Sequence, residues 1–190
     1  MAQFLRRHQR LIAVVLFLVL LLAVFELSGV RGHFNLAFVQ QQIQAHRVTG
    51  LLVFILLFSL GNLIQIPGWL FLAAAVLTLG RGWGGVATYA AASISCVVTF
   101  LVIRFIGGNA LRELKSKTAQ RLLGRLDEHP IQSVVLLRVL FQTVPALNYA
   151  LALSGIPLRK YLVGTLLGLP LPIFLYCVFF DYLARLLKIL

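Results

Sequence analysis

A chain of 190 residues that is 61% hydrophobic and only 12% charged, with a mean hydropathy of +0.97, is too apolar for an ordinary soluble domain. An integral membrane protein is the class that remains, and the length allows one compact helical domain and little else. A net charge of +12 would suggest nucleic acid in a soluble protein, but here the basic residues lie beside apolar runs, so anionic lipid headgroups are the expected partner.

Arg6, Arg7 and Arg10 precede an apolar run, Leu11 to Leu27, interrupted only by Glu26. The pattern resembles a secretory signal peptide. The run is longer than the usual h-region, however, and no small-x-small cleavage site follows, which favours an uncleaved signal anchor with a cytoplasmic N-terminus. At about 1.5 Å per residue it reaches about 26 Å, close to the hydrocarbon thickness. Glu26 reads as a carboxylate in the interface; the alternative is a titrating group facing a cavity. Between Val30 and Arg47, Phe34, Phe38, Val39 and Ile43 have helical spacing among glutamines and predict a short interfacial helix. His33 and His46 are too isolated to make a metal site.

Val48 to Leu63 is apolar, and NLIQIPGW follows it. Pro67 removes a backbone donor and Gly68 permits a reversal. Leu70 to Leu79 would then reach about 15 Å as a helix, half a bilayer. Two half-depth helices meeting at Pro67 fit this stretch; one tilted, kinked helix is the alternative. Gly80, Gly82, Gly84 and Gly85 predict a turn, with Arg81 and Trp83 as interface anchors. Val86 to Ile106 is long enough to span. Its small residues Ala87, Ala91, Ser95 and Thr99 predict close helix packing, and Arg104 near its end is expected to snorkel to the headgroups.

Gly107 to His129 is the one strongly polar segment. It reads as a basic amphipathic helix on the cytoplasmic surface, with Asn109 as N-cap, a Glu113–Lys117 pair and Pro130 as terminator. No aromatic residue accompanies its charge, so nucleic acid is not expected. Cys96 and Cys177 lie within apolar runs without CxxC spacing and are expected to be packing residues.

The stretch from Arg138 to Pro172 is apolar yet carries an arginine, a glutamine, an asparagine, four prolines and three glycines. It repeats the earlier order. Gln65, Pro67, an apolar half-helix, Gly80 and a span are matched by Gln142, Pro145, an apolar half-helix, Gly155 and a span from Tyr161 to Leu183, kinked at Pro170 and Pro172. Interrupted apolar segments at matching places in two halves point to a midplane binding site. The fold class expected is therefore an all-α integral membrane protein. It is an inverted repeat of two re-entrant helical hairpins, each followed by a transmembrane helix, plus an N-terminal transmembrane helix. One domain covers 1–190, with the anchor at 1–29, the first hairpin and span at 48–106, the basic helix at 107–129 and the second hairpin and span at 131–187. Arg138 within VVLLRVLF costs at least about 2.5 kcal/mol on insertion scales, so it should face protein, water or an anionic group; snorkelling is the equal alternative.

Arg138, Pro145, Asn148-Tyr149, Gly155, Tyr161, Gly164-Thr165, Gly168 and Pro170 resemble the signature half of VTT-domain proteins, the SNARE-associated Golgi protein family of the DedA superfamily. Pro67-Gly68, Gly80, Trp83-Gly84 and Arg104 resemble that family's other repeat, and the likeness covers roughly Val48 to Pro172. It implies two facing re-entrant hairpins. It also implies lipid scrambling or flipping, of phospholipids in eukaryotic relatives and of undecaprenyl phosphate or phospholipids in bacterial ones. Proton coupling is suspected for bacterial members with an acidic residue beside the first hairpin's proline and a second arginine in the later motif. This chain has Gly68-Trp69 at the first place and no arginine between Arg138 and Arg159.

The expected function is a membrane lipid transporter. Arg138, Gln142, Pro145, Asn148, Tyr149, Gln65, Pro67 and Gly68 are its candidate substrate-binding residues, and Arg138 is the phosphate attractor. An ion-coupled small-solute transporter would need a mid-depth titrating group, for which only Glu26 and Asp181 offer themselves. A non-transporting assembly factor docking through the basic helix is the third reading. No nucleophile–base pair suggests an enzyme, and no cofactor or metal is expected. The expected place is a multi-pass membrane position, the inner membrane if the source is bacterial, and a homo-oligomer is compatible with it.

Overall fold

The computed structural model describes residues 9–27, 40, 47–113 and 117–186. All regular structure among them is helical: α1 (Gln9–Leu27), α2 (Arg47–Leu63), α3 (Gly68–Gly107), a 3-10 turn (Ala110–Glu113), α4 (Lys117–Glu128), α5 (Pro130–Phe141), α6 (Pro145–Leu153), α7 (Leu158–Gly168) and α8 (Pro170–Leu186). The interfacial helix expected before Arg47, the Glu113–Lys117 pair, and Arg6, Arg7, Lys115 and Lys188 fall outside the described residues.

Helix α3 is 40 residues long but is not one rod. Gly80 breaks it at φ 77°, ψ 170°, a region essentially closed to residues with a Cβ. The turn expected from four glycines is corrected here: Gly80 alone makes the bend, and Gly82, Gly84 and Gly85 are helical. Gly84 serves a close approach instead. A Cβ there would lie 2.6 Å from the Ala75 carbonyl oxygen, so the 68–79 arm folds back against the start of the 81–107 arm with backbone in contact.

Both halves of the chain break in the same order. Helix α2 ends with Gln65 at φ 66°, and the Ile66 N–H donates to the Gly61 oxygen at 2.8 Å, which closes the helix end in Schellman fashion. Pro67 is extended, and the 68–79 arm begins after it. Helix α5 ends with Gln142 at φ 52°, whose N–H donates to the Arg138 oxygen at 2.8 Å; Pro145 then opens α6. Gly155 at φ 83° takes the place that Gly80 has in the first half, and Pro157 leads into α7.

The 81–107 arm and the α7–α8 pair run antiparallel. Arg81 Nη1 lies 3.9 Å from Asp181 Oδ2 at one end, and the Phe100 and Tyr161 rings lie 4.3 Å apart toward the other. Two stretches, Gly68–Gly107 and Leu158–Ala184, are long and apolar enough to cross a membrane. The kink expected at Pro170 falls at the α7–α8 junction. Proline has no N–H, so the Leu166 carbonyl loses its helical donor. The Tyr89 hydroxyl replaces it, donating to Leu166 O at 3.0 Å. Tyr89→Phe should therefore cost about 1 kcal/mol of stability, read as a lowered unfolding midpoint in detergent.

Two apolar cores flank this pair. In the first, Phe54 and Phe58 of α2 and Phe71 and Val76 of the short arm pack on Ala87, Ala91, Ile173 and Cys177. In the second, Val134 of α5 and Tyr149 and Leu151 of α6 pack on Cys96, Phe100, Ile103 and Tyr161. The small residues expected to allow close packing, Ala87, Ala91, Ser95 and Thr99, are all buried. Gly164 and Gly168 seat α7 on α5, where a Cβ on either would come within 2.6 Å of Val134 Cβ or Arg138 Cβ.

The single amphipathic helix expected over Gly107–His129 is a 3-10 turn followed by α4, and Pro130 opens α5 as its first residue. Asn109 does not cap through its side chain; its Oδ1 accepts from Arg104 Nη1 at 3.0 Å. Nor does Arg104 snorkel. Its Nε donates to the Ala152 carbonyl and its Nη2 to that of Ile156 at 2.9 Å, so a cation closes the C-terminal end of α6, where carbonyls lack helical donors.

Arg112 fastens the same region from outside. Its Nε donates to Ser154 O at 2.7 Å, and its Nη1 donates to Asp127 Oδ2 at 3.0 Å. The hydrogen bonds from Arg112 hold the Asp127 carboxyl below the usual carboxylate range. A depressed carboxyl pKa contributes stability that is present above the unfolded value and is lost as pH falls through the folded one. Helix α4 should therefore stay docked from pH 7 to about 5 and release below about 4. A fluorophore on Gly124→Cys, where a side chain meets open space, would report this, and Asp127→Asn should remove the pH response.

Candidate functional site between the two breaks

The two breaks meet. A Cβ on Gly68 would overlap the hydroxyl oxygen of Thr143, so the first break can lie against the second only because residue 68 has no side chain. Beside this contact is a cavity of about 310 Å³. Pro67, Gly68 and Trp69 line it from the first half, Gln142, Thr143 and Pro145 from the second, and Tyr176 of α8 closes one side. Trp69, Phe141 and Tyr176 are exposed at its rim. The lining is thus mostly apolar, with an amide, two hydroxyls and an indole as polar groups.

Gln142 stands out by its backbone. It sits at φ 52°, ψ −122°, and Val144 N–H donates to Phe141 O at 3.1 Å across it. This is the first central position of a type II′ turn, where glycine is the rule. The end of α3 has nearly the same geometry, φ 56°, ψ −126°, with its N–H bonded to Arg104 O, and there the chain places Gly108. A side chain at 142 therefore persists in a conformation that costs roughly 1–3 kcal/mol. Strain of this size at a cavity wall points to a use for that amide.

Behind the cavity lies a continuous buried polar chain. Arg138 is fully buried: Nη1 donates to the Gln142 carbonyl at 2.9 Å, Nη2 to Tyr161 Oη at 2.7 Å, and Nε to Thr165 Oγ1 at 3.3 Å. Tyr161 Oη donates to the Cys96 carbonyl at 3.0 Å. Asn148 Nδ2 donates to Asn62 Oδ1 at 3.1 Å, and Asn62 Nδ2 donates to Ser95 Oγ at 3.0 Å. Tyr149 Oη lies 3.0 Å from Leu63 O and 3.1 Å from Asn62 O, carbonyls that the break after α2 leaves without helical donors. Burying these groups is tolerable because each has a partner.

The eight candidates separate accordingly. Gln142, Pro145, Pro67 and Gly68 line the cavity. Arg138, Asn148 and Tyr149 lie behind it as buried struts, and Gln65 is exposed away from it. Snorkelling of Arg138 is corrected by its complete burial among a hydroxyl, a phenol and a carbonyl. Sequence reasoning missed Asn62 and Ser95 as members of the polar chain. An amide at the end of an apolar run was the available signal, since it needs a partner once buried. Trp69 and Tyr176 of the cavity wall carried no such signal. Among the described residues no three His, Cys, Asp or Glu side chains gather as a metal site would require.

No curated protein and no solved structure gives a significant match to the chain. The VTT domain family, whose members are membrane-associated, has a model that matches residues 66–182, a stretch that runs from the first break to the middle of α8 and contains both arms, the cavity wall and most of the polar chain. The chain belongs to the VTT domain family.

Proposed function

We propose that this protein is an integral membrane lipid transporter, a scramblase or flippase in which the headgroup of a phospholipid or undecaprenyl phosphate crosses past the paired breaks. In this reading the two halves are re-entrant hairpins of inverted sense, and the antiparallel 81–107 arm and α7–α8 pair are their spans. Irregular backbone at membrane depth is tolerated only beside protein or a wet cavity, and the two breaks adjoin one. The single observation that carries the reading is Gln142, an amide kept at a glycine position in the wall of a cavity whose rim is exposed.

Mostly apolar walls suit acyl tails, and Gln142, Thr143 and Tyr176 replace headgroup water. The cavity lining holds no carboxylate, amine or imidazole. That is a poor place for an ion-coupled solute carrier, which needs a titrating group. Arg138 sits one bonded layer behind, through the Gln142 carbonyl, so its charge favours a phosphate in the cavity without direct contact in this conformation.

The test uses the full chain in liposomes with a fluorescent phospholipid and a chemical quencher added outside. Gln142→Gly removes the amide and relieves the turn. It should raise stability by about 1 kcal/mol and slow transbilayer movement about tenfold, the loss expected when one headgroup hydrogen bond is missing at the barrier. A variant that is more stable and moves lipid at the original rate would overturn the reading, as would a wild-type chain that moves none.

A further inference from the structure

A second cavity, of about 340 Å³, lies away from the paired breaks, on the other side of α5 and α6. Helix α4 roofs it with Leu123 and Leu126, Leu111 of the 3-10 turn closes one end, and Leu137, Leu147 and Leu151 form its floor. Its volume is that of a small-molecule site. Ser133 and Ser154 also face it, but Ser133 Oγ donates to Arg125 O at 3.2 Å and Ser154 Oγ to Leu151 O at 2.8 Å. Both hydroxyl protons are thereby spent within the protein, and the interior suits hydrocarbon. One lining residue is charged, Arg125, which is exposed at the edge.

An apolar slot with a single cation at its edge fits an amphiphile that carries one anionic group. We infer that this slot holds an acyl chain of an anionic phospholipid from the surrounding bilayer, with its phosphate beside Arg125. The bound chain pins α4 against α5 and α6. The site rests on the reading of this protein as a membrane protein but not on its transport activity. Charge complementarity selects the occupant. Arg125 belongs to a segment, 107–129, in which Arg112, Lys115, Lys117, Arg121 and Arg125 outnumber Glu113, Asp127 and Glu128, and such segments gather anionic lipid. A neutral sterol or oil would leave Arg125 unused, and a polar solute would find no free donor inside.

The full chain in detergent would be titrated separately with dioleoyl phosphatidylglycerol, dioleoyl phosphatidylcholine and oleate, with the lipid-bound fraction read by native mass spectrometry and the unfolding midpoint read in parallel. Phosphatidylglycerol should be retained about fivefold better than phosphatidylcholine, the share of one basic residue near an anionic headgroup. Arg125→Gln should abolish that preference. Ala150→Trp fills the slot from its exposed edge and should remove one equivalent of retained lipid together with the lipid-dependent rise in midpoint. Retention that is unchanged in both variants would overturn the inference, and so would binding of oleate without phosphatidylglycerol. Gln142→Gly, which tests transport, should retain phosphatidylglycerol like the wild type, so failure of either idea can be told from failure of the other.

Discussion

Arg138→Ala should destabilise the chain by about 4 kcal/mol, enough to remove most of the stability of a typical domain. The guanidinium has no solvent-exposed surface and donates to three acceptors on three different segments: the turn after α5, and Tyr161 and Thr165 of α7. A hydrogen bond to a charged group contributes about 1.5–3 kcal/mol, and the three are not additive. Alanine also leaves a void against Gly168, which was seated on Arg138 Cβ. Two effects oppose each other. Removing a buried cation relieves its desolvation, so Arg138→Met, which keeps the volume, should cost clearly less than alanine while still leaving the Tyr161 hydroxyl and the Gln142 carbonyl without their partner. Unfolding midpoints of both variants in detergent, with Tyr161→Phe in a double-mutant cycle, would test this. A coupling of at least about 1 kcal/mol between 138 and 161 is expected, and strict additivity would mean that the network is not a unit.

The second large effect is on transport. Gly68→Ala should slow lipid movement by about tenfold or more, because its methyl group occupies the space of the Thr143 hydroxyl and forces the two breaks apart. Overpacking of this kind costs about 1–3 kcal/mol, and a threonine Cβ branch has no long flexible end to swing away. The combination Gly68→Ala with Thr143→Ala should recover much of the lost rate, since the second change removes the obstructing oxygen. Recovery is the decisive measurement. If the double variant is as slow as Gly68→Ala alone, the close approach is not what the glycine serves.

The places where the chain breaks were legible in the sequence. Pro67 and Pro145 lack a donor wherever they stand, and Gly80 and Gly155 stood at the ends of apolar runs of half length, so local chemistry was sufficient. What each polar side chain bonds to was not legible. Asn62 and Asn148 are 86 residues apart and meet only because two antiparallel helices bring their segments together. The same holds for Arg104, whose position near a helix end suggested water and headgroups. Its acceptors, the carbonyls of Ala152 and Ile156, belong to a helix end that no local pattern could assign to it. The four-glycine turn failed for a related reason. A glycine required by a neighbouring backbone, such as Gly84, is indistinguishable in sequence from one required by its own dihedral angles, such as Gly80. Of the candidate site, the wall residues beside the prolines were found, and the supporting amides one layer back were not.

The amide bridge between Asn62 and Asn148, with the Tyr149 phenol beside it, ties the end of α2 to the start of α6. Those segments belong to opposite halves, so neither gate can swing as a separate leaf. Tilting one drags its counterpart through a short polar hinge. Opening toward the two sides of a bilayer should then be synchronous, with paired spin labels on Gly124→Cys and Leu52→Cys changing separation in a single step and never by halves.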